Sequence, residues 1–359
     1  MSASPRPVGF YVHHHGSGHA NRCRLLASRL PEAVSVHVFT SAPDSFVGWS
    51  RGTLHVLPPD TSPDRDPSLD LLDGAVIHYA PTDLPGLQDR MAILAGWFAT
   101  ARPSLFVVDL SVEVALFARL CGVRTALVRL HGHRDDPAHL AAFRLAHRLF
   151  APFPAALEDA HTPEWVREKT TYLGAFSRYD GRTETRHAAR EALGIPQTAR
   201  VVTIINGTGG GAQVQARWRD VARATPTWTF RLVGVVDDAE DGPANLTSVG
   251  FVTDTYPQLK AADVVIGSGG TNTMMEIGAA RVPYLSVPEP RPFDEQLCKM
   301  RALAALGLTR IVDPDLPPAG WSALLERTRV MDTSGWDTLF DEVSPATNPF
   351  REDRADRLK

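Results

Sequence analysis

The stretch IGSGGTNTMMEIG, residues 266–278, decides how this chain is read. It follows an apolar run, 262–266, and leads into residues with helical spacing. Two adjacent glycines, Gly269 and Gly270, let backbone N–H groups at a helix N-terminus approach an anion closely. Glu276 comes four residues after Asn272, on the same helical face and about 6 Å farther along the axis. A phosphate at the tip with a carboxylate one turn in suits the phosphates and ribose of a nucleotide.

The pattern around this stretch repeats. Upstream, a strand over 200–205 runs into NGTGGGA, residues 206–212, then a helix over 214–223 and a strand over 228–233. A strand over 247–251 and a helix over 255–261 lead back to the strand at 264–266. The first half of the chain has the same rhythm. A strand over 8–12 precedes HHHGSGHANRCRLLASRL, in which Cys23, Leu25, Leu26, Ala27 and Leu30 recur at helical spacing. Strands follow at 34–39, at 105–108 ending on Asp109, and at 125–128, with a helix over 112–120. Strands alternating with helices predict an α/β fold of doubly wound parallel sheets. Two Rossmann-like domains are expected, residues 1–174 and 175–331, with a helix and tail over 332–359. The segment 172–182 reads as a linker. Pro/Asp-rich 58–74 reads as a loop whose acids form a solvated surface.

A length of 359 residues accommodates roughly two domains on the usual prior. A formal charge of −4 with scattered basic residues gives no electrostatic case for nucleic acid. Cys23, Cys121 and Cys298 are odd in number and far apart, against a disulfide framework or thiolate zinc site and in keeping with a reducing compartment. The apolar run in MSASPRPVGFYV is short for a signal peptide, and no stretch approaches the ~18 apolar residues of a membrane span. The expected location is the cytoplasm, with peripheral contact at the inner membrane face left open.

HHHGSGH resembles a dinucleotide turn, but Asn21 stands where GxGxxG has its third glycine, and the next strand ends Thr40-Ser41 without an acid for the ribose. An NAD site is therefore disfavoured. His13, His14, His15 and His19 invite a metal, yet the intervening glycines and the lack of a nearby carboxylate weaken that reading, so none is expected. His19 instead lies at a strand's C-terminal end, where α/β proteins bind ligands. Asp109 ends another strand on the same rim, where it either holds the imidazole as a base or caps the next helix.

GSGHANR, together with GSGGTNTMMEIGAARVPYLSVP and FDEQLCKMRALAALG, resembles nucleotide-sugar glycosyltransferases of the GT-B fold. The likeness is to families 1 and 28, which include the lipid II-forming N-acetylglucosaminyltransferases. It spans roughly residues 8–330, and 44–102 match nothing. The resemblance implies an acceptor-binding first domain and a donor-binding second domain facing across a cleft. It makes His19 the general base, in a turn with Gly16 and Gly18, and Asp109 its support. It assigns Ser268, Gly269, Gly270, Thr271 and Asn272 to the diphosphate and Glu276 to the ribose. Glu295 and Gln296 go to the sugar hydroxyls, Phe251 and Val252 to the base, and Gly207, Thr208 and Gly209 to the cleft. The polar loop 131–136 is read as facing the acceptor through His131 and His133. Two departures stand out: Ser268 where many family 1 members carry histidine, and Glu295 where Asp is common.

The implied chemistry is inverting transfer from a nucleoside-diphosphate sugar, a UDP-sugar first, to an acceptor hydroxyl. Helix-tip N–H groups would stabilise the leaving diphosphate, so neither metal nor cofactor is expected. Two other readings stay open: a nucleotide-sugar 2-epimerase of the same fold, and a non-catalytic partner of another transferase.

Overall fold

Strand β1 (Val8–Tyr11) is buried along its whole length, as a parallel strand covered on both faces must be. It pairs with β2 (Val36–Thr40) on one side. The computed structural model to which it belongs describes residues 5–14, 17–72, 74–205, 212–234, 242–313, 315–341 and 350. Beyond β2 lies β3 (Thr53–Val56); on the other side of β1 follow β4 (Leu105–Asp109), β5 (Thr125–Val128), β6 (Arg148–Ala151) and β7 (Thr170–Tyr172). The order is β3-β2-β1-β4-β5-β6-β7, all parallel. Helices α1 (Ser17–Ser28), α2 (Pro85–Ala101), α3 (Val112–Leu120), α4 (Pro137–Leu145) and α5 (Glu164–Lys169) complete unit 1. Its residues are Met1–Phe153, His161–Leu173 and Ser344–Lys359.

Aromatic packing explains how α2 seats on this sheet. Trp97 and Phe98 meet Phe39 and Phe106 with ring centroids 4.8 to 4.9 Å apart. A Cβ on Gly9 would come within 2.6 Å of Phe106 and 2.7 Å of Trp97, so only glycine fits beneath them. Two expectations for unit 1 need correction. Residues 44–102, unassigned from sequence, contain β3 and α2. The acids of 58–74 are not all solvated: Asp60 pairs with Arg90, which is 1% exposed and also donates to Tyr11 Oη and the Pro58 carbonyl. Arg90 thereby ties the Pro/Asp loop to the end of β1. Phe350 packs edge-on against Phe10 and Phe150 of unit 1.

Unit 2 comprises Pro154–Ala160 and Gly174–Val343. Its parallel sheet contains β8 (Val201–Ile205), β9 (Thr229–Val233), β10 (Leu246–Gly250), β11 (Val264–Gly267), β12 (Tyr284–Ser286) and β13 (Arg310–Ile311), in the order β10-β9-β8-β11-β12-β13. Around it are α6 (Arg186–Ala192), α7 (Ala212–Ala224), α8 (Tyr256–Lys260), α9 (Thr271–Ala280), α10 (Glu295–Ala305), α11 (Trp321–Arg329) and α12 (Gly335–Asp341). Trp228, Trp321 and Trp336 are fully buried. The boundary between the units falls inside the linker expected at 172–182, after Leu173, but the segment is not a free connector: Tyr179 is 5% exposed and packs edge-on against Tyr256 within unit 2. Among the described residues, no helix is long and apolar enough to cross a membrane. Both sheets are doubly wound, and each reverses its winding once, between β1 and β4 and between β8 and β11. Ligands bind α/β sheets at the carboxyl ends of strands at such points.

Candidate active site

At the switch point of unit 1, α1 begins two residues before His19, so Gly18 and His19 sit in its first turn. His19 Nδ1–H donates to Asp109 Oδ2 at 2.8 Å. Asp109 is the last residue of β4, and the chain turns away from it through Leu110, a non-glycine residue at φ +69°. The alternative role for Asp109, capping α3, falls to Ser111, whose Oγ accepts from Val114 N–H. Sequence reading missed the third member. Arg22, one turn after His19, donates through Nη2 to both Asp109 oxygens at 3.1 Å and lies 3.0 Å from His19 Nδ1. Burial opposes the charge on Asp109, but Arg22 and His19 overcome it and hold the carboxyl at about 2. A permanently ionised Asp109 keeps the proton on Nδ1 and leaves the Nε2 lone pair of His19 as a base. Gly16 and His15 lie outside the described residues.

At the switch point of unit 2, β11 ends at Gly267 and α9 starts at Thr271, with Ser268, Gly269 and Gly270 as the tip. Gly269 holds φ +96°, and a Cβ there would lie 2.9 Å from Met300 Cγ, so glycine is needed on both counts. Gly270 caps the helix with no side-chain bond, leaving the anion-binding face of the tip to backbone and to Thr271. Asn272 is exposed and Ser268 half-buried. Beneath the tip lies a residue not singled out from sequence: Lys299, 1% exposed, whose Nζ donates to Gly269 O at 3.2 Å, Thr271 Oγ1 at 2.7 Å and Glu295 Oε1 at 3.3 Å. Thus Gly269, Thr271 and Glu295 do meet at one place. Gln296 beside them is 5% exposed and turns Oε1 inward to accept from Glu289 N–H at 2.8 Å, so that oxygen holds the loop before α10. Phe293 and Asp294 in that loop have φ of +60° and +53°, strain of a kind that clusters at functional sites.

Glu276 sits one turn into α9, but its carboxylate is already engaged. Arg178 Nε donates to Oε1 at 2.9 Å, and Thr255 Oγ1 to Oε2 at 3.2 Å. Burial raises its carboxyl above the usual range, with Arg178 partly offsetting it. Thr255 also donates its N–H to Tyr179 Oη at 2.8 Å, which ties the 251–255 loop to Glu276. Phe251 in that loop is 74% exposed, and Val252 is half-buried. Gly207, Thr208 and Gly209 lie outside the described residues.

The reading of His131 is corrected: it is 1% exposed and stacked on Phe153 at 3.9 Å, so it belongs to the core rather than to a surface loop. His133 is exposed and stacks on His161. Ligand-type atoms also gather away from the amino-terminal histidines, at His78, Asp136 and His139. There Asp136 caps α4 and accepts from His78 Nε2 at 2.8 Å and from His139 Nδ1. Arg134 donates to His139 Nε2 at 3.0 Å, which fixes the proton on Nδ1 and removes the lone pair a metal would need there.

The family described as the glycosyltransferase family 28 C-terminal domain matches residues 204–315, which run from the end of β8 through β13. A Methanosarcina acetivorans protein described as a glycosyltransferase is 31% identical over 46% of this chain and 43% of its own length. The UDP-N-acetylglucosamine–N-acetylmuramyl-(pentapeptide) pyrophosphoryl-undecaprenol N-acetylglucosamine transferase of Shouchella clausii is 25% identical over 53% of this chain and 56% of its own. The transferase of that name from Nocardia farcinica is 28% identical over 75% and 77%. The chain thus spans about half the length of the first curated relatives it matches, at 43% and 56%. Among solved structures, MurG of Acinetobacter baumannii has a TM-score of 0.67 at 15% identity, over 96% of this chain and 97% of that one. The spinosyn forosaminyltransferase has a TM-score of 0.67 at 18% identity, over 99% and 98%. With two doubly wound parallel sheets and these neighbours, the fold is GT-B, and residues 204–315 match the glycosyltransferase family 28 C-terminal domain.

Proposed function

We propose that this protein transfers a sugar, with inversion, from a nucleoside-diphosphate sugar to an acceptor hydroxyl. The observation that carries the reading is the 2.8 Å bond from His19 Nδ1 to a carboxylate held ionised at about 2. Direct displacement needs two things: a base for the acceptor proton and a stabiliser for the departing diphosphate. Unit 1 supplies the first in His19 Nε2. Unit 2 supplies the second in the backbone N–H groups and dipole of the Gly269–Gly270 tip, so we propose that no divalent ion takes part. Glu276 would accept the ribose hydroxyls once Arg178 shifts, Phe251 would stack on the base, and Glu295 would meet the donor sugar. A UDP-sugar is our first donor, because relatives such as the Shouchella clausii protein are named for UDP-N-acetylglucosamine. The same name ends in a lipid-linked acceptor, which makes a lipid-linked hydroxyl compound the first acceptor to try.

The test is an acceptor-free hydrolysis screen across UDP-, dTDP- and GDP-sugars, repeated in excess EDTA. Slow release of one diphosphate, unchanged by the chelator, is the expected result. Activity that vanishes in EDTA and returns with one divalent ion would overturn the metal-independent mechanism. No release or binding of any nucleoside diphosphate would overturn the donor assignment.

A further inference from the structure

We infer that Lys299 is the positioning residue of the anion cradle, orienting its donors from beneath without touching the ligand. The inference rests on the proposed function, in that the tip is taken to hold a diphosphate. A lysine 1% exposed is uncommon, because a buried ammonium must be well paired. Among the described partners of Lys299, two belong to the tip, Gly269 O at 3.2 Å and Thr271 Oγ1 at 2.7 Å, and another is Glu295 Oε1 at 3.3 Å.

Each of the two tip bonds has a consequence on the other side of the tip. In a trans peptide the C=O and N–H point in opposite directions. Drawing the Gly269 carbonyl inward to Lys299 therefore turns the Gly270 N–H outward. An ammonium has donors only, so Thr271 Oγ1 must accept from it, and the hydroxyl's own proton is left to donate elsewhere. A hydroxyl that accepts a charge-assisted bond is a stronger donor in turn. Lys299 thus aims one backbone donor and strengthens one side-chain donor. Glu295, one turn back along α10, balances the buried charge and joins the tip to the proposed sugar contact.

The experiment is calorimetric titration of UDP, dTDP and GDP into wild type, Lys299→Met, Lys299→Gln, Thr271→Val and the Lys299→Gln/Thr271→Val double variant, each checked by thermal melting. Lys299→Met should weaken the diphosphate that wild type binds by about ten- to hundredfold. Lys299→Gln keeps a donor without the charge and should lose less. In the double variant, the loss should be no greater than that of Thr271→Val alone, because the glutamine's remaining donor still holds the Gly269 carbonyl and the lost charge has no hydroxyl to act through. A merely structural lysine would give additive losses. If Lys299→Met does not fold, the glutamine variant and the double variant decide the matter. Unchanged affinity in both lysine variants, or additive losses, would overturn the inference while leaving the nucleotide site intact. Failure of wild type to bind any of the three would remove the reading beneath it as well.

Discussion

At the scale of single residues, the two proposed centres should fail in different ways. His19→Ala should lower turnover by roughly 10²–10⁴-fold and leave diphosphate affinity unchanged, since general-base catalysis contributes about that much. Equal losses of turnover and donor affinity would instead make His19 a binding residue. Asp109→Asn should show a smaller loss of turnover, read in the same assay, because the imidazole remains but its tautomer is no longer fixed. Glu276→Ala removes a charged acceptor worth roughly 1.5–3 kcal/mol, so ribose nucleotides should bind about ten- to hundredfold less tightly. That loss is reduced to whatever extent Arg178, which donates to Glu276 at 2.9 Å, must first be displaced. Titrations that find no change would leave Glu276 as the anchor of Arg178 only. His19, Asp109 and Glu276 were legible because each lies at a fixed step from a glycine turn or a strand end. Arg22, Arg178 and Lys299 were not. Their meaning depends on partners 87, 98 and 28 residues away, and a lone basic residue on a helix gives no sign of what packs against it.

Elements were legible where the hydrophobic run was long. The expected strands at 8–12, 105–108, 125–128 and 264–266 agree with β1, β4, β5 and β11 to within one residue at either end. β3, β7 and β13 escaped notice because they are short and partly exposed at or near sheet edges, so no buried run announces them. The turn between β11 and α9 was legible as a motif, but its two glycines looked alike and are not. Gly269 has φ +96° with Met300 2.9 Å from a would-be Cβ, whereas a Cβ on Gly270 meets nothing nearer than Thr273 Oγ1 at 4.0 Å. Gly269→Ala should therefore cost about 1–3 kcal/mol of stability through strain. Gly270→Ala should stay within about 0.5 kcal/mol. The bulkier Gly270→Val should fold normally yet bind diphosphate much more weakly, since its branch enters the space that phosphate would occupy. Thermal melts and diphosphate titrations on the three variants separate the roles. If Gly270→Val bound diphosphate like wild type, the anion would not approach the tip at that residue.

Across the whole molecule, the titratable groups are distributed unevenly. Of 13 histidines, all but His187 belong to unit 1. Several of them favour the neutral form. His139 is held down at about 4 by burial and then by Arg134; a shift of that size is worth about 3 kcal/mol. Burial also lowers His37 and His55, whose rings share a 3.0 Å hydrogen bond between β2 and β3. An imidazole whose folded value lies below its unfolded value, about 6.5, leaves stability intact above that pH. As pH falls from there towards about 4, the unfolded chain takes up protons that the folded unit refuses, and stability is lost. Asp109 adds a later step, between about 4 in the unfolded chain and about 2 in the folded one. In unit 2, burial raises Glu276 and Asp180, so their charged forms penalise folding at neutral pH and that penalty is relieved on acidification. Unit 1 should therefore lose stability between pH 7 and 5 while unit 2 changes little. Native-state hydrogen exchange at the two pH values would resolve the units, with protection falling in β1 to β7 and persisting in β8 to β13. His139→Gln, which cannot titrate, should flatten part of that fall. Equal losses in both sheets, or an earlier loss in unit 2, would mean that groups other than the neutral histidines govern the acid response.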